Sequence, residues 1–405
     1  MLSTYRRILS VPGAALFSAT GLVARFPISM ISLGIVLLVS EATGSYGLAG
    51  SVAAAYLLAN GGFAILQGRL IDRIGQSRVL PAVILVFGAS LGVLMWSVEA
   101  DWPIASSYLL AVVSGAALPS VGSCVRARWS HALRSPEQLQ TAFALEAVAD
   151  ETVFMLGPIL VTVLATAVHP VAGLSAALVL GVVGTLGFAA QRGTEPPAHP
   201  RSSTSGPRPG MPWRTVVPLA VVCAALGTLF GAAEVATVAF SEEQGSKGYA
   251  GFLLALWAAG SLIAGLLTGA VHWRRGADHR VRWGAFGMMA AMLPLAFIDS
   301  VAVMGLALFV AGFAIAPTLI ATMSLTEKTV PPARLTEGMA IMQTGVVAGV
   351  APGATVAGIV IDASGASPAY LVAAAAGMVA ALAALALPRG RALETGRVPA
   401  TTLEP

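Results

Sequence analysis

The feature that most constrains this chain is a succession of apolar runs about twenty residues long, separated by short polar breaks. Of its 405 residues, 57% are hydrophobic and only 10% are charged, whereas a soluble domain carries about 25% charged residues. A helix of this length crosses a bilayer with all its backbone groups bonded internally. The sequence therefore predicts an all-α polytopic membrane protein rather than the soluble domains that length alone would favour.

Counting the apolar runs predicts twelve membrane spans. They lie near residues 11–39, 48–68, 79–98, 104–125, 140–167, 171–190, 215–240, 248–271, 281–298, 302–323, 338–361 and 368–388. A segment rich in Pro, Gly and Ser follows the sixth span, and its composition is typical of a linker. We therefore predict an N-terminal six-helix bundle over 1–190, a cytoplasmic linker over 191–213, a C-terminal six-helix bundle over 214–390 and a cytoplasmic tail over 391–405.

The basic residues predict an orientation for these spans. Apart from Arg25 and Lys247, every lysine and arginine falls in alternate loops, the linker or the termini. Because cytoplasmic loops carry an excess of Lys and Arg, both termini are expected in the cytoplasm of a cell whose plasma (inner) membrane holds the protein. The basic isoelectric point, near 9.4, is then explained by the arginines and lysines of the cytoplasmic loops. We therefore predict no nucleic-acid partner.

The residue types that catalysis or metal binding requires are scattered. Cys124 and Cys223 lie in separate apolar runs, and the five histidines show no ligand spacing. No span pairs a nucleophile with a base. We therefore predict no enzyme activity, no metal and no cofactor, and we expect a monomer whose partners are a small-molecule substrate, protons and the lipid bilayer.

The two halves of the chain are related by an internal repeat. A shift of 201 positions lays residues 40–50, SEATGSYGLAG, over residues 241–251, SEEQGSKGYAG. The repeat predicts two pseudo-symmetric bundles of one ancestry, an arrangement typical of transporters that rock two bundles around a central site.

The predicted cytoplasmic end of the second span, residues 68–78, reads GRLIDRIGQSR. A glycine at position 68 permits close helix contact, and Asp72 can bond a neighbouring helix N-terminus. This stretch resembles the Gly-x-Leu-x-Asp-Arg-x-Gly signature of the major facilitator superfamily, with Gly68, Asp72, Arg73 and Gly75 in the matching positions.

The resemblance extends to the whole chain, through the number of spans, the inside termini, the repeat and the central linker. It implies the superfamily's fold and transport by alternating access between two bundles. It also implies that the acid of the motif, here Asp72, helps to hold one of the two access states. The second half keeps a degenerate copy of the motif from Gly269 to Gly276, with Trp273 where the acid would be.

The fifth span carries a second family feature in part. Efflux members of the superfamily commonly have Gly-Pro-x-x-Gly-Gly there, and this chain has Gly157 and Pro158 without the second glycine pair. The resemblance therefore favours the drug or metabolite:proton antiporter branch. The glycine and proline have two interpretations, a kink for close packing and a seal of the conduit.

Three acids interrupt the apolar fifth span, in the segment ALEAVADETVF of residues 144–154. At a rise of about 1.5 Å per residue, Asp150 and Glu151 lie roughly 15–17 Å beyond residue 140, near mid-membrane. Glu146 shares a helix face with Asp150, and Glu151 points about 100° away. Each ionised acid facing lipid would cost roughly 2.5–3.5 kcal/mol, so we expect them to face the bundle, water or a cation.

Arg25 is the basic residue inside the first span, also near mid-membrane. Spans one and five are neighbours in the superfamily's fold, so an ion pair of Arg25 with Asp150 or Glu151 is expected. Proton coupling requires a carboxyl that gains and loses a proton near neutral pH. We hypothesise that Glu151 or Asp150 carries the proton beside Arg25. Glu146 is expected to have a structural role, as a partner of Arg126 or Arg128 at the inner end of the fourth span.

Other polar residues within spans are candidates for the lining of a central cavity. Glu234 in the seventh span is a further candidate for proton or substrate contact. The polar and aromatic candidates are Tyr56, Asn60, Trp257, Gln343 and Thr344, although residues of these types in such positions more often serve packing or helix contact.

The leading functional hypothesis is proton-coupled efflux of a drug or metabolite by a secondary active transporter. The first alternative is uptake of a sugar or an organic acid, in which Arg25 would clamp an anion. The second is a non-transporting membrane sensor or a passive lipid translocator. A sensor would normally carry a folded soluble module, and no predicted loop is long enough to form one.

Overall fold

The computed structural model describes residues 2–44, 46–198, 209–245, 248–271, 273 and 275–388. All regular secondary structure in these residues is helical. The predicted tail over 391–405, the middle of the linker and Lys247 lie outside the described residues.

By its internal contacts the chain divides into two compact units. The first comprises Met1–Gly210, Gly265–Ala270 and Pro331–Ala348, and the second comprises Met211–Ala264, Val271–Val330 and Gly349–Pro405. Two short segments from the second half of the sequence thus pack within the first unit. The predicted bundle boundaries, which follow the sequence alone, stay predictions.

The helices of the first half begin and end close to the predicted spans. They are α1 Leu2–Leu9, α2 Ala14–Thr43, α3 Tyr46–Ile74, α4 Gln76–Glu99, α5 Ile104–Ala117, α6 Val121–Ala132, α7 Pro136–Ala167 and α8 Ala172–Ala190. The predicted fourth span is divided between α5 and α6 at Pro119. A residue before proline is driven out of the helical region, and Leu118 is accordingly extended.

The helices of the second half are α9 Trp213–Glu243, α10 Gly248–Ala270, α11 Ala277–Met292, α12 Val301–Gly312, α13 Ile315–Thr329, α14 Leu335–Ser364 and α15 Ala366–Leu385. In the described residues, eleven helical segments are long and apolar enough to cross a membrane. The predicted ninth span is the 16-residue α11, continued by a 3₁₀ turn over Leu293–Phe297. Pro294 has no N–H to continue the α-helix, so the count of twelve is not confirmed.

Small residues allow the helices of the first unit to pack closely. A Cβ at Gly184 of α8 would overlap the backbone of Ala24 on α2, and one at Gly115 of α5 would overlap the backbone of Tyr56 on α3. Such close approach is typical of membrane helices, whose association depends on packing rather than on a hydrophobic driving force. It places α2 against both α7 and α8.

The second unit repeats the pairing of the first. In the first unit α8 packs on α2 and α4, and in the second α15 packs on α9 and α11 in the same sequence order. Glycines again make the contacts close, because a Cβ at Gly349 or Gly353 of α14 would overlap the backbone of α9. Equivalent helices of the two sequence repeats therefore have equivalent neighbours within their own units.

Candidate functional site

Four charged side chains meet inside the first unit, and we call them the charge cluster: Arg25, Arg126, Glu146 and Asp150. Arg25 donates from Nη2 to Glu146 Oε2 at 2.5 Å and from Nη1 to Asp150 Oδ1 at 2.6 Å. Arg126 donates from Nη2 to Asp150 Oδ2 at 2.5 Å. Two positive and two negative charges thus balance within the apolar part of the chain, and each arginine is buried.

Local structure explains why these side chains meet. The four-residue spacing puts Glu146 and Asp150 on one face of α7. That face lies against α2 because Gly157 leaves room for Ser29, whose Oγ donates to the carbonyl of Val153 at 2.9 Å. The break at Pro119 starts α6 at Val121, so Arg126 lies in the second turn of a helix rather than in a loop.

The two acids of the charge cluster differ in their surroundings. Glu146 is fully buried, and its Oε1 accepts hydrogen bonds from Ser18 Oγ and Trp129 Nε1, both at 2.8 Å. Asp150 keeps 19% of its side-chain surface exposed, and it accepts hydrogen bonds from Arg25 and Arg126. Glu146 is therefore a fixed counter-ion, and Asp150 is the acid within reach of water.

The expected ion pair of Arg25 with one of the mid-span acids is present, and the acid is Asp150. The suggested partner of Glu146 was wrong: Arg126 binds Asp150, and Arg128 donates to Gln76 and Thr194. Glu151 is half-buried, about 100° further round α7 than Asp150. The role of either acid in proton coupling stays a prediction.

A small cavity of about 50 Å³ opens beside the charge cluster. It has room for a few water molecules. Its polar and charged lining comprises Arg25, Asn60, Ser120, Ser123, Asp150, Gln343 and Thr344. Thr344 Oγ1 is buried and has no hydrogen-bond partner among the described residues.

The other predicted cavity residues lie elsewhere. Tyr56 is buried against α5, and its hydroxyl has no partner in the described part of the chain. Trp257 belongs to the second unit, where its ring meets Phe230 edge-on at 5.7 Å. Glu234 is exposed on α9 of the same unit. The roles of these three residues in a central cavity stay predictions.

The signature motif joins the end of α3 to the start of α14, a junction within the first unit. Asp72 Oδ2 accepts the backbone N–H of Glu337 at 3.0 Å, and Oδ1 accepts that of Thr336 at 3.2 Å. Gly68 makes the approach possible, because its Cα faces the backbone of the same two residues. The carboxylate therefore occupies the N-terminus of a helix, where free N–H groups and the helix dipole favour an anion.

The remaining residues of the motif shape the same end of α3. Gly75 has φ of 103°, a conformation that L side chains rarely adopt, and it separates α3 from α4. Arg73 is half-buried, and its Nε has no hydrogen-bond partner among the residues described. Arg69, which is not one of the matching positions of the motif, donates to Glu337 Oε1 at 2.8 Å.

The end of α10, where the second-half copy of the motif begins, makes a junction of a different chemistry. The last-turn carbonyls of α10 accept hydrogen bonds from side chains of α1 and α7: Tyr5 to Leu266 at 3.0 Å, Gln140 to Thr268 at 2.8 Å and Thr141 to Gly269 at 2.7 Å. Where Asp72 supplies an acceptor to helix N–H groups, these residues supply donors to helix carbonyls. Burial raises the pKa of Tyr5 to about 12, so its hydroxyl stays a donor at physiological pH.

Two contacts were missed from the sequence, that of Arg126 with Asp150 and that of Glu337 with Asp72. Arg126 was assigned to a loop because it follows the fourth apolar run, and only the proline break reveals that it is helical. Glu337 carries no local signal for its contact with α3. In the described residues, no group of His, Cys, Asp and Glu could hold a metal ion.

Comparisons with known proteins agree with this architecture. The family model described as Major Facilitator Superfamily matches residues 17–322 and 235–403. The human organic anion transporter MFSD10 has a similar structure, with a TM-score of 0.69 at 18% identity over 94% of this chain and 99% of that chain. No curated protein sequence matches this chain.

A bacterial homologue of the iron transporter ferroportin, in an outward-facing state, is also similar. Its TM-score is 0.72 at 12% identity, over 92% of this chain and 98% of that chain. A second structure of that description, with soaked iron, has a TM-score of 0.71 at 14% identity over the same shares. At these identities the likeness to solved structures concerns the fold alone.

Proposed function

This chain belongs to the major facilitator superfamily of transporters, and we propose that it couples the movement of a small organic compound to that of protons, with Asp150 as the proton-binding group. It is a secondary active transporter that works by alternating access. The observation that carries the proposal is the charge cluster, in which one acid of a balanced set remains partly exposed to a cavity.

Proton binding at Asp150 would disturb the balance of the charge cluster. The four groups carry no net charge when both acids are ionised, and neutralising Asp150 leaves two arginines facing Glu146 alone. A buried charge without a partner is unfavourable, so the arginines would have to move or acquire another anion. Because Arg25 and Arg126 lie on α2 and α6 and both bind α7, protonation would alter the contacts among three helices.

The junction between Asp72 and α14 provides the conformational part of the cycle. It joins a helix of the first sequence repeat to one of the second through two backbone hydrogen bonds and the pairing of Arg69 with Glu337. Contacts of this size can form and break during a cycle, because each hydrogen bond to a charged group contributes only about 1.5–3 kcal/mol net. We propose that the junction holds one access state.

The sequence favours export in exchange for protons. The support is the partial efflux signature at Gly157 and Pro158, together with its position directly beyond Asp150 on α7. Gly157 lets α2 lie against α7 at Ser29. A movement of α2 relative to α7 at the charge cluster would therefore also change the packing at this contact. Export of a drug or secreted metabolite is therefore the first candidate direction.

A second candidate, uptake of an organic acid together with protons, is favoured by one specific observation. The charge cluster contains two arginines, Arg25 and Arg126, which both bind Asp150. A pair of buried guanidinium groups is suited to an anionic cargo.

The test of proton coupling is transport driven by an imposed pH gradient. The panel is the wild type, Asp150→Asn/Glu151→Gln and the control Glu99→Gln, which removes an exposed acid near His169 outside the charge cluster. The proteins are expressed in an efflux-deficient bacterial host. The imposed pH gradient should alter resistance to the compound, or its accumulation, in cells that express the wild type or the control. It should alter neither in cells that express the double variant. Transport that still follows the pH gradient in the double variant, at equal membrane expression, contradicts the proposal.

A further inference from the structure

The two carboxylates of the charge cluster differ in hydrogen-bond partners and in exposure, which indicates different roles. Three side chains donate to Glu146, which has no exposed surface. Asp150 is held by arginine at each oxygen, and part of its surface reaches the cavity. Glu146 is therefore a permanent counter-ion for the arginines, and Asp150 is one that can be exchanged.

The way in which Asp150 is held could be reproduced by the carboxylate of a ligand. One oxygen accepts from Arg25 Nη1 and the other from Arg126 Nη2, so the carboxylate bridges two helices. Carboxylates are well matched to such paired guanidinium donors. Arg126 Nε is a further buried donor, and it has no hydrogen-bond partner among the described residues.

The cavity is lined by Arg25 and Asp150 and by Gly122, which adjoins Arg126, and it has the size of a head group. Its volume of about 50 Å³ is too small for a whole organic cargo, since ligand pockets usually have several hundred Å³, about 300–1,000 Å³. Asn60, Gln343 and the unpartnered Thr344 hydroxyl supply polar contacts at its wall. A small anionic group could replace the water there, with the rest of the molecule outside.

We infer that the cargo carries a carboxylate, which takes the place of the Asp150 side chain between Arg25 and Arg126 once Asp150 is protonated. The inference rests on the proposed proton coupling at Asp150 and names the substrate class of that site. It favours the second candidate, because a proton and an anion that bind together travel in the same direction.

The surrounding charges agree with an anion and oppose a cation. The charged groups facing Asp150 are Arg25 from α2, Arg126 from α6 and Glu146 from its own helix, whereas Glu151 points about 100° away. Of the other helices that pack on α7, α8 carries no charged residue, and α1 carries the exposed Arg6 and Arg7. With Asp150 neutral, the two arginines exceed their one fixed counter-ion, so a cationic cargo would meet repulsion and an anionic one attraction.

The test uses acetate, acetamide and acetamidinium, which share a shape and differ in charge. Thermal unfolding of the purified full-length protein is measured with each probe, against sodium chloride at the same ionic strength. We expect acetate to raise the melting temperature of Asp150→Asn by a few degrees, and acetamide and acetamidinium to leave it unchanged. The wild type should respond to acetate more at acidic than at alkaline pH, because proton and anion binding are linked.

Two controls separate binding at the charge cluster from a general effect of acetate. Adding Arg126→Gln to Asp150→Asn should abolish the response, and Glu99→Gln should behave as the wild type. In weakly buffered solution, acetate binding should be accompanied by proton uptake in the wild type and by none in Asp150→Asn.

Each result decides the inference. It is overturned if Asp150→Asn ignores acetate, if acetamide stabilises as well as acetate does, or if acetamidinium stabilises the wild type. Loss of gradient-driven transport in Asp150→Asn without any acetate response would leave proton coupling in place and reject the anionic cargo. An acetate response at Asp150→Asn with normal gradient-driven transport would instead reject the coupling at Asp150.

Discussion

The carboxylate of Asp72 on α3 accepts the backbone N–H of Glu337 on α14 at 3.0 Å, although the two residues are 265 positions apart. The side chain of Glu337 in turn binds Arg69 of α3 and Arg334, each at 2.8 Å. The start of α14 is thus held twice, through its free N–H groups and through its own carboxylate. The first contact depends on a negative charge at a helix N-terminus.

We expect Asp72→Asn to reduce transport several-fold without lowering expression. Asparagine keeps one acceptor oxygen but loses the charge, which contributes about 1–2 kcal/mol in a partly buried helix-terminal position. That changes the balance between two conformations roughly 5–30-fold. Initial transport rates in vesicles, normalised to membrane content, measure the effect, and normal turnover in this variant would reject a gating role for Asp72.

Gly68→Ala should weaken the same junction by a steric route. The added Cβ would lie 3.0 Å from Glu337 Cα and from Thr336 O, closer than packed side chains normally approach. Such overpacking costs about 1–3 kcal/mol, so α3 and α14 should separate more easily. Gly62→Ala is the matched control, since a Cβ at Gly62 of the same helix meets nothing within 4 Å.

The two variants are compared by the accessibility of a cysteine placed at Thr336 to a membrane-impermeant thiol reagent. Labelling should increase in Gly68→Ala and stay at the parental level in Gly62→Ala. Equal labelling of the two would mean that close contact at Gly68 does not control this junction.

The helix order was predictable because the bilayer imposes a minimum length on each apolar run. The depth of residues within a span was predictable for the same reason, because helix rise and apolar pattern are recorded in the local sequence. The pairing of Arg25 with Asp150 or Glu151 needed one further premise, the resemblance that makes the first and fifth spans neighbours.

The partners that come from other segments were not predictable in the same way. Arg126 looked like a loop residue, because a charge after an apolar run normally marks the end of a span. The break at Pro119, stabilised by the side chain of Gln67, moves it into α6. The contact of Asp72 with Glu337 depends on how distant helices meet, and no periodicity of either segment records that.

Glu146→Gln should destabilise the protein more than Asp150→Asn does. Glu146 is fully buried and balances Arg25, and removal of one partner of a buried ion pair costs about 3–5 kcal/mol. Asp150 is partly exposed, so water from the cavity can compensate the arginines in its absence. Thermal unfolding in detergent should give the lower melting temperature for Glu146→Gln, and the reverse order would contradict the division into fixed and exchangeable acids.

The donors at the end of α10 should act as a second, charge-independent junction. Tyr5→Phe removes one hydrogen bond to Leu266 and should cost about 0.5–1.5 kcal/mol. Because all three donors are uncharged, the effect of Tyr5→Phe on transport should not vary with salt, whereas that of Asp72→Asn should diminish as salt screens the helix terminus. Transport rates over a salt series distinguish the two, and a salt-dependent loss in Tyr5→Phe would contradict this assignment.

Gln67 should prove essential to the break in the fourth span. Its Nε2 donates to the carbonyls of Ala116 at 2.7 Å and Leu118 at 3.0 Å, and its Oε1 accepts the N–H of Ser120 at 3.3 Å. Gln67→Leu leaves these groups without partners at about 1–3 kcal/mol each. Since the break sets the position of Arg126, the variant should also alter transport.

The conservative variant Gln67→Glu separates the two effects. When ionised it places a buried negative charge against the carbonyls of Ala116 and Leu118, whereas its protonated form keeps one donor and one acceptor. Relative to the wild type at the same pH, it should therefore unfold at a lower temperature in alkaline than in acidic solution. If Gln67→Leu had the melting temperature of the wild type and transported normally, the break would be determined by Pro119 alone. The position of Arg126 would then not depend on α3.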